Sequence, residues 1–168
     1  MKKDFSKIKL FAMDVDGTLT DGKIYIGNDG EVMKAFNAKD GLGIKLLIKK
    51  GIVPLIITGR RSKIVTRRCE EIGITVLYQG VRDKADILKN VRAKYDCTPE
   101  QTVYIGDDMN DLSAMQTAGI TFAPADCAAA LLPYVDFVLT QKSGDAPVRE
   151  AIDIILENRL TLSDYESI

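Results

Sequence analysis

The feature that most constrains this chain is a rhythm: short apolar runs alternate with longer segments whose apolar residues recur at helical spacing. Ile8–Met13 and Val53–Ile57 read as buried strands, followed by Thr75–Tyr78, Thr102–Ile105, Ile120–Phe122 and Phe137–Leu139. Helical patterns cover about 40–50, 61–72, 83–95, 109–118, 126–132 and 147–157. Thr98-Pro99-Glu100 reads as a cap and a first-turn proline that open a further short helical turn. Strands alternating with helices form βαβ units, so the fold class is α/β: a Rossmann-like parallel sheet with helices on both faces. A length of 168 residues suits one domain, spanning 1–168. One segment breaks the rhythm. Lys23–Ile26 and Val32–Phe36 flank Gly27-Asn28-Asp29-Gly30, which predicts a β-hairpin over about 23–36, where an ordinary α/β fold places a helix. Residues from about 158 to 168 read as a mobile or docking tail.

Composition removes whole classes of chemistry. There is no histidine, which excludes serine–histidine triads, histidine-ligated metals and imidazole acid–base work. Cys69, Cys97 and Cys127 are widely spaced, which argues against a disulfide framework and against a zinc site. A net charge of -1 gives no basic field for nucleic acid, and Lys49-Lys50, Arg60-Arg61 and Arg67-Arg68 read mainly as solvated helix faces. The charged segment Met1–Lys9 has no signal-like apolar run and no stretch reaches membrane-spanning length, which predicts a cytoplasmic protein without a membrane partner. Catalysis in such a chain runs on carboxylates, lysine, hydroxyls and a hard metal.

Ligand sites of open α/β sheets lie at the carboxyl ends of the strands, and chemistry-bearing residues follow there in order. The first strand ends in Asp14-Val15-Asp16-Gly17-Thr18, whose acids two residues apart share one side of an extended chain. Two such carboxylates repel unless a cation or a proton joins them. Val53–Ile57 is followed by Thr58-Gly59-Arg60, with a small hydroxyl at the same edge. Lys84 stands just after the next strand, and Thr102–Ile105 runs into Gly106-Asp107-Asp108-Met109-Asn110-Asp111. Each piece alone reads as structural; four in this order do not.

These four segments resemble the signature motifs of the haloacid dehalogenase superfamily, along essentially the whole chain. The resemblance implies Asp14 as nucleophile, Asp16 as general acid–base, Thr58 and Lys84 as holders of the phosphoryl oxygens, and Mg²⁺ held by Asp14, Asp16 and Asp107. Asp108 and Asp111 stand nearby as weaker metal candidates. The residue types fit the chemistry. Phosphate monoester hydrolysis is among the slowest uncatalysed reactions, with enzymatic accelerations up to about 10²¹-fold, and passage through an aspartyl phosphate divides it into two steps. The resemblance also implies that an aspartate at position 16, rather than a threonine, favours hydrolysis over ion transport.

The gaps Asp14–Thr58 and Thr58–Lys84 are too short for a cap domain. An uncapped site stays open to water, so closure comes from a neighbouring subunit or the substrate is a macromolecule. The apolar hairpin residues Ile24, Tyr25, Ile26, Val32, Met33 and Phe36 favour a homo-oligomer, against a hairpin folded onto its own domain. Asp16–Gly22, Lys34–Gly41 and Leu77–Gly80 look like the capless, tetrameric subfamily acting on 3-deoxy-D-manno-octulosonate 8-phosphate in lipopolysaccharide synthesis. That likeness implies a small phosphorylated sugar acid as substrate, with Thr58, Gly59, Arg60, Lys84, Asp40, Gly41 and Arg149 as its binding residues. Arg149 reads equally as one half of a helix-surface ion pair with Glu150 or Asp153, and Arg60 and Lys63 equally as ordinary helix-start residues. Lys39 stands where the subfamily often has arginine, Thr18 where valine is frequent, and the glycine-rich stretch is reduced to Ser143–Glu150. Two rivals remain: a phosphatase for a nine-carbon keto-sugar acid 9-phosphate, and a receiver-like phospho-signalling domain. A receiver, however, carries neighbouring acids on its first strand and its phosphorylated aspartate on a middle one.

Overall fold

A computed structural model describes residues 3–157 and 159–166. The main sheet has six strands: β1 (Leu10–Met13), β4 (Val53–Thr58), β5 (Val76–Gln79), β6 (Thr102–Ile105), β7 (Ile120–Ala123) and β8 (Phe137–Val138), in the order β5-β4-β1-β6-β7-β8. Every pairing in it is parallel. β2 (Tyr25–Gly27) and β3 (Gly30–Met33) form a separate antiparallel hairpin. Among the described residues five α-helices complete the fold: α1 (Ala38–Lys49), α2 (Lys63–Ile72), α3 (Lys84–Lys94), the one-turn α4 (Leu112–Met115) and α5 (Pro147–Ile155).

β1 lies in the centre, buried on both faces, so alternate residues feed two cores. Phe11 and Met13 pack with Ile44 and Leu47 of α1 and with Val148, Ile152 and Ile155 of α5. Leu10 and Ala12 join Leu88 and Val91 of α3 and Met115 of α4 on the other face. Pro54, lacking an N–H, is accommodated inside β4 by register. Val53 N donates to Lys9 O across the β1 side at 2.8 Å, so the Pro54 nitrogen faces the β5 side, where pairing begins only at Leu55↔Val76. Asn37, Ser62 and Asp83 cap α1, α2 and α3 through their side chains.

The structure departs from the sequence reading in three places. The pattern at 109–118 yields a 3-10 turn, Met109–Asp111, and then a single α turn, because the Asp111 side chain is drawn inward rather than left on a helix face. At 126–132 there is no α-helix but a 3-10 segment, Ala129–Tyr134, with Pro133 inside it. The hairpin ladder stops at Met33: Lys34 turns inward, and Phe36 packs on the core beneath Arg68, whose guanidinium lies 5.8 Å from the ring centroid. Of the two readings of the tail, mobile or docking, the described residues show the docked one. Lys49 Nζ donates to the Ser163 and Asp164 carbonyls at 2.9 and 3.0 Å, and Lys50 Nζ lies 2.8 Å from Asp164 Oδ2, so this basic pair clamps the tail from the helix surface. Asn158, Ser167 and Ile168 lie outside the described residues. Among the described residues no helix is long and apolar enough to cross a membrane.

Candidate active site

The central strands β1 and β6 deliver their first residues beyond the sheet to one point. Asp14 follows β1, its N–H still donating to Ile105 O at 3.1 Å as if the ladder continued. Asp14 is 3% exposed; its Oδ1 accepts from Val15 N at 2.7 Å and its Oδ2 lies 2.8 Å from Lys84 Nζ. Lys84, first residue of α3 and 2% exposed, also lies 2.7 Å from Asp111 Oδ1. Asp111 accepts in addition from Tyr104 OH at 2.7 Å and, through Oδ2, from Asp107 N at 3.1 Å. It thereby shapes the turn 106–111 and aims Asp107 back at β1, where Thr18 Oγ1 donates to Asp107 Oδ1 at 3.3 Å. Glycine is required at two approaches. A Cβ on Gly17, where φ is +93°, would lie 2.0 Å from Asp107 Oδ2, and one on Gly106 would lie 2.4 Å from Asp111 Cγ.

Oxygens of Asp14, Asp107 and Asp111 lie within 4.8 Å of one another, and Lys84 is the cation that reaches two of these acids. Three acids, Asp14 and Asp111 buried and Asp107 half-buried, against one ammonium leave negative charge unanswered. Burial, then the Asp111 charge, pushes Asp14 up to about 6 although Lys84 opposes the shift. Burial and the charges of Asp111 and Asp14 push Asp107 up to about 7. Burial pulls Lys84 down, but Asp14 and Asp111 outweigh it and raise its pKa, so its ammonium is held. Oxygen-only donors at this spacing, short of positive charge, suit a hard divalent cation. Asp111 is the least free of the three: its Oδ1 accepts from both Lys84 and Tyr104, and its Oδ2 from Asp107 N.

Thr58 ends β4 two residues beyond the Met13↔Ile56 pair, and so stands level with the Asp14-Val15 turn. Gly59 and the half-exposed Arg60 continue along the same rim, Arg60 Nε lying 3.9 Å from Asp16 Oδ2. Asp16 itself is not in the acid triad: its carboxylate is bound by Lys34 of the hairpin segment. Asp108 is exposed and caps the turn through Met109 N, and Lys63 is exposed at the start of α2.

Three expected substrate residues are not brought to this cluster. Asp40 is 2% exposed and accepts from Arg149 N at 2.7 Å, capping α5 from another helix because Ala146 has no side-chain oxygen to do so. Gly41 is a close-packing glycine, where a Cβ would lie 2.5 Å from an Arg68 nitrogen. The Arg149 side chain forms the helix-surface ion pair with Asp153, at 2.8 Å. Sequence reasoning missed Lys34 and Tyr104. Tyr104 had a readable signal, since a phenol inside a buried strand needs an acceptor; Lys34, amid apolar neighbours at the end of a strand, had almost none.

A central first strand ending in Asp-x-Asp, with hydroxyl, lysine and late acids at neighbouring strand ends, defines a haloacid dehalogenase-like hydrolase. Residues 74–152 match the family described as haloacid dehalogenase-like hydrolase. The chain is 46% identical over 151 residues to the 3-deoxy-D-manno-octulosonate 8-phosphate phosphatase of Yersinia pestis, covering 90% of this chain and 81% of that protein. It superposes with a TM-score of 0.91 on the cobalt-bound deoxy-D-mannose-octulosonate 8-phosphate phosphatase of Haemophilus influenzae, at 36% identity over 96% of this chain and 98% of that one. The Moraxella catarrhalis phosphatase, in complex with magnesium ion, phosphate ion and a KDO molecule, gives 0.88 at 40% identity, covering 91% and 88%. The chain belongs to the 3-deoxy-D-manno-octulosonate 8-phosphate phosphatase family, and the receiver alternative falls away.

Proposed function

We propose that this chain is a magnesium-dependent phosphatase converting 3-deoxy-D-manno-octulosonate 8-phosphate to the free sugar acid and phosphate, in the cytoplasm, within lipopolysaccharide precursor synthesis. The observation that carries the reading is the dry cluster in which Lys84 serves Asp14 and Asp111 while Asp107 closes the group. Asp14 and Asp107 offer carboxylates to the metal. Asp16, whose carboxylate is bound through Oδ1 by Lys34, would add a further oxygen donor. A bound Mg²⁺ supplies positive charge to an otherwise anionic encounter of carboxylate and phosphate.

The chain's own residues then divide the reaction. The Asp14 carboxylate attacks phosphorus, forming an aspartyl phosphate as the bond from phosphorus to the sugar oxygen breaks. Asp16 gives a proton to that departing oxygen. In the second half Asp16 takes a proton from water, whose oxygen attacks phosphorus, releasing phosphate and restoring Asp14. Lys84 and Thr58 hold the phosphoryl oxygens, and Gly59 and Arg60 line the sugar side. Asp40, Gly41 and Arg149 act in the fold, on the packing of α1, α2 and α5.

The whole chain works as one domain, and its site is closed by copies of itself. Ile26 and Val32 are 70% and 61% exposed on a hairpin of only two strands, apolar surface that packing against other hairpins in a tetramer would cover. The test is phosphate release with Mg²⁺ from the eight-carbon 8-phosphate, a nine-carbon keto-acid 9-phosphate and p-nitrophenyl phosphate. Preference for the first supports the reading, preference for the second moves the substrate to the sialic-acid type, and inactivity on all three overturns it.

A further inference from the structure

The hairpin segment contributes one charged side chain that does not face solvent. The Lys34 side chain is 1% exposed, and its ammonium is shared between the Asp16 carboxylate and Glu31 Oε1, the latter at 3.0 Å. The other Glu31 oxygen accepts from Ser62 Oγ. Ser62 is itself fixed: Val65 N donates to its Oγ at 3.2 Å, and its own N–H donates to Gln79 Oε1 at 2.6 Å. A continuous polar line therefore runs from Asp16, through the hairpin, to the start of α2 and the end of β5.

Burying an ammonium is unfavourable unless it is paired, and an apolar side chain would serve if the position needed only to fill space. Arg60 cannot replace Lys34, because its Nε is 3.9 Å from Asp16, beyond hydrogen-bond length, and its side chain is half exposed. We propose that Lys34 is a positioning residue: it holds the Asp16 carboxyl group at the angle from which it serves the departing oxygen, and Glu31 and Ser62 hold Lys34. This rests on the acid–base role given to Asp16 above. In that step the bond from Asp14 to phosphorus forms, the bond to the departing oxygen breaks, and the Asp16 proton moves to that oxygen, leaving a carboxylate beside the Lys34 ammonium. An acid free to rotate spends less of its time aligned, and the loss falls on that proton transfer alone.

Leaving-group dependence isolates this effect. Esters of poor leaving groups need the proton; p-nitrophenolate departs without it. The value of kcat/KM covers events up to the first P–O cleavage, so it is read with Mg²⁺ across aryl phosphates from p-nitrophenyl to phenyl. Lys34→Met is expected to lose about 10- to 100-fold on phenyl phosphate and less than about threefold on p-nitrophenyl phosphate, a fraction of what general acid catalysis supplies. Glu31→Gln keeps the lysine and frees one side of it, so the same tilt should appear at smaller size; this variant carries the test if Lys34→Met does not fold. Asp16→Asn sets the limiting tilt. A steep Asp16→Asn with a uniform loss, or no loss, in both other variants overturns the Lys34 assignment alone. A flat Asp16→Asn overturns the acid role of Asp16 and the Lys34 assignment with it.

Discussion

The strand-end cluster and the hairpin are built on opposite principles. Around Asp14 the polar groups hold one another at the edge of a sheet buried on both faces, and the cluster is short of positive charge. The hairpin is two short strands with a register irregularity between Tyr25 and Ile26, apolar outside and tied inward through Lys34. A six-stranded sheet with helices on both faces can hold a strained group of acids rigidly; a lone two-stranded ribbon is marginal by itself. The acids and the lysine of the cluster thus come from one chain, while the exposed hairpin is where the proposed tetramer would add its cover.

The largest break in that comparison comes from Asp14→Asn, expected to lower phosphate release by about 10⁴-fold or more while circular dichroism and oligomer size stay unchanged. Asp111→Ala attacks the framework of the cluster rather than its reactive group. It leaves the Tyr104 hydroxyl without an acceptor and Lys84 with Asp14 alone, and should cost about 1–3 kcal/mol of stability in denaturant unfolding. On the hairpin, Ile26→Asp with Val32→Asp should shift sizing from tetramer to smaller species and cut turnover of the sugar phosphate far more than its thermal stability; an unchanged tetramer would remove the hairpin from the interface.

The charge deficit of the cluster gives a pH test. Carboxyls pushed up to about 6 and about 7, above the ordinary aspartate range, bind protons in the folded state that the unfolded chain has already lost. Their contribution is present below about pH 4, and stability falls as pH rises through the folded values. The metal-free protein should therefore melt lower at pH 8 than at pH 5, and Mg²⁺ should restore more at pH 8. Asp40, raised to about 7 by burial, adds to the fall but not to the Mg²⁺ effect, so Asp40→Asn should reduce the first and leave the second. The smallest expected change is Ala146→Gly. Ala146 has φ 67°, in the left-handed region, and glycine there should add about 1 kcal/mol to unfolding stability without altering activity.

The nucleophile segment, Thr58, Lys84 and the acids after β6 were legible because each follows an apolar run that can only be a buried strand. In a parallel sheet, residues just past such runs converge at one edge. The hairpin was legible from its Gly-Asn-Asp-Gly turn. Less could be read where a side chain's partner is distant in sequence. Lys34 reaches Asp16 and Asp40 reaches α5, yet nothing local in Lys34–Gly41 distinguishes a lysine turned inward, or an acid used as a remote cap, from substrate contacts.

By itself, then, the sequence determined the layer architecture, the oxygen-only chemistry and the edge of the sheet where it takes place, since those follow from apolar periodicity and residue type. Only the tertiary structure decided which acids share Lys84, which one is drawn away to the hairpin, and which expected substrate residues lie away from that cluster among packed helices. Those outcomes depend on burial and on distances of a few ångströms between segments up to 109 residues apart, which no local pattern encodes.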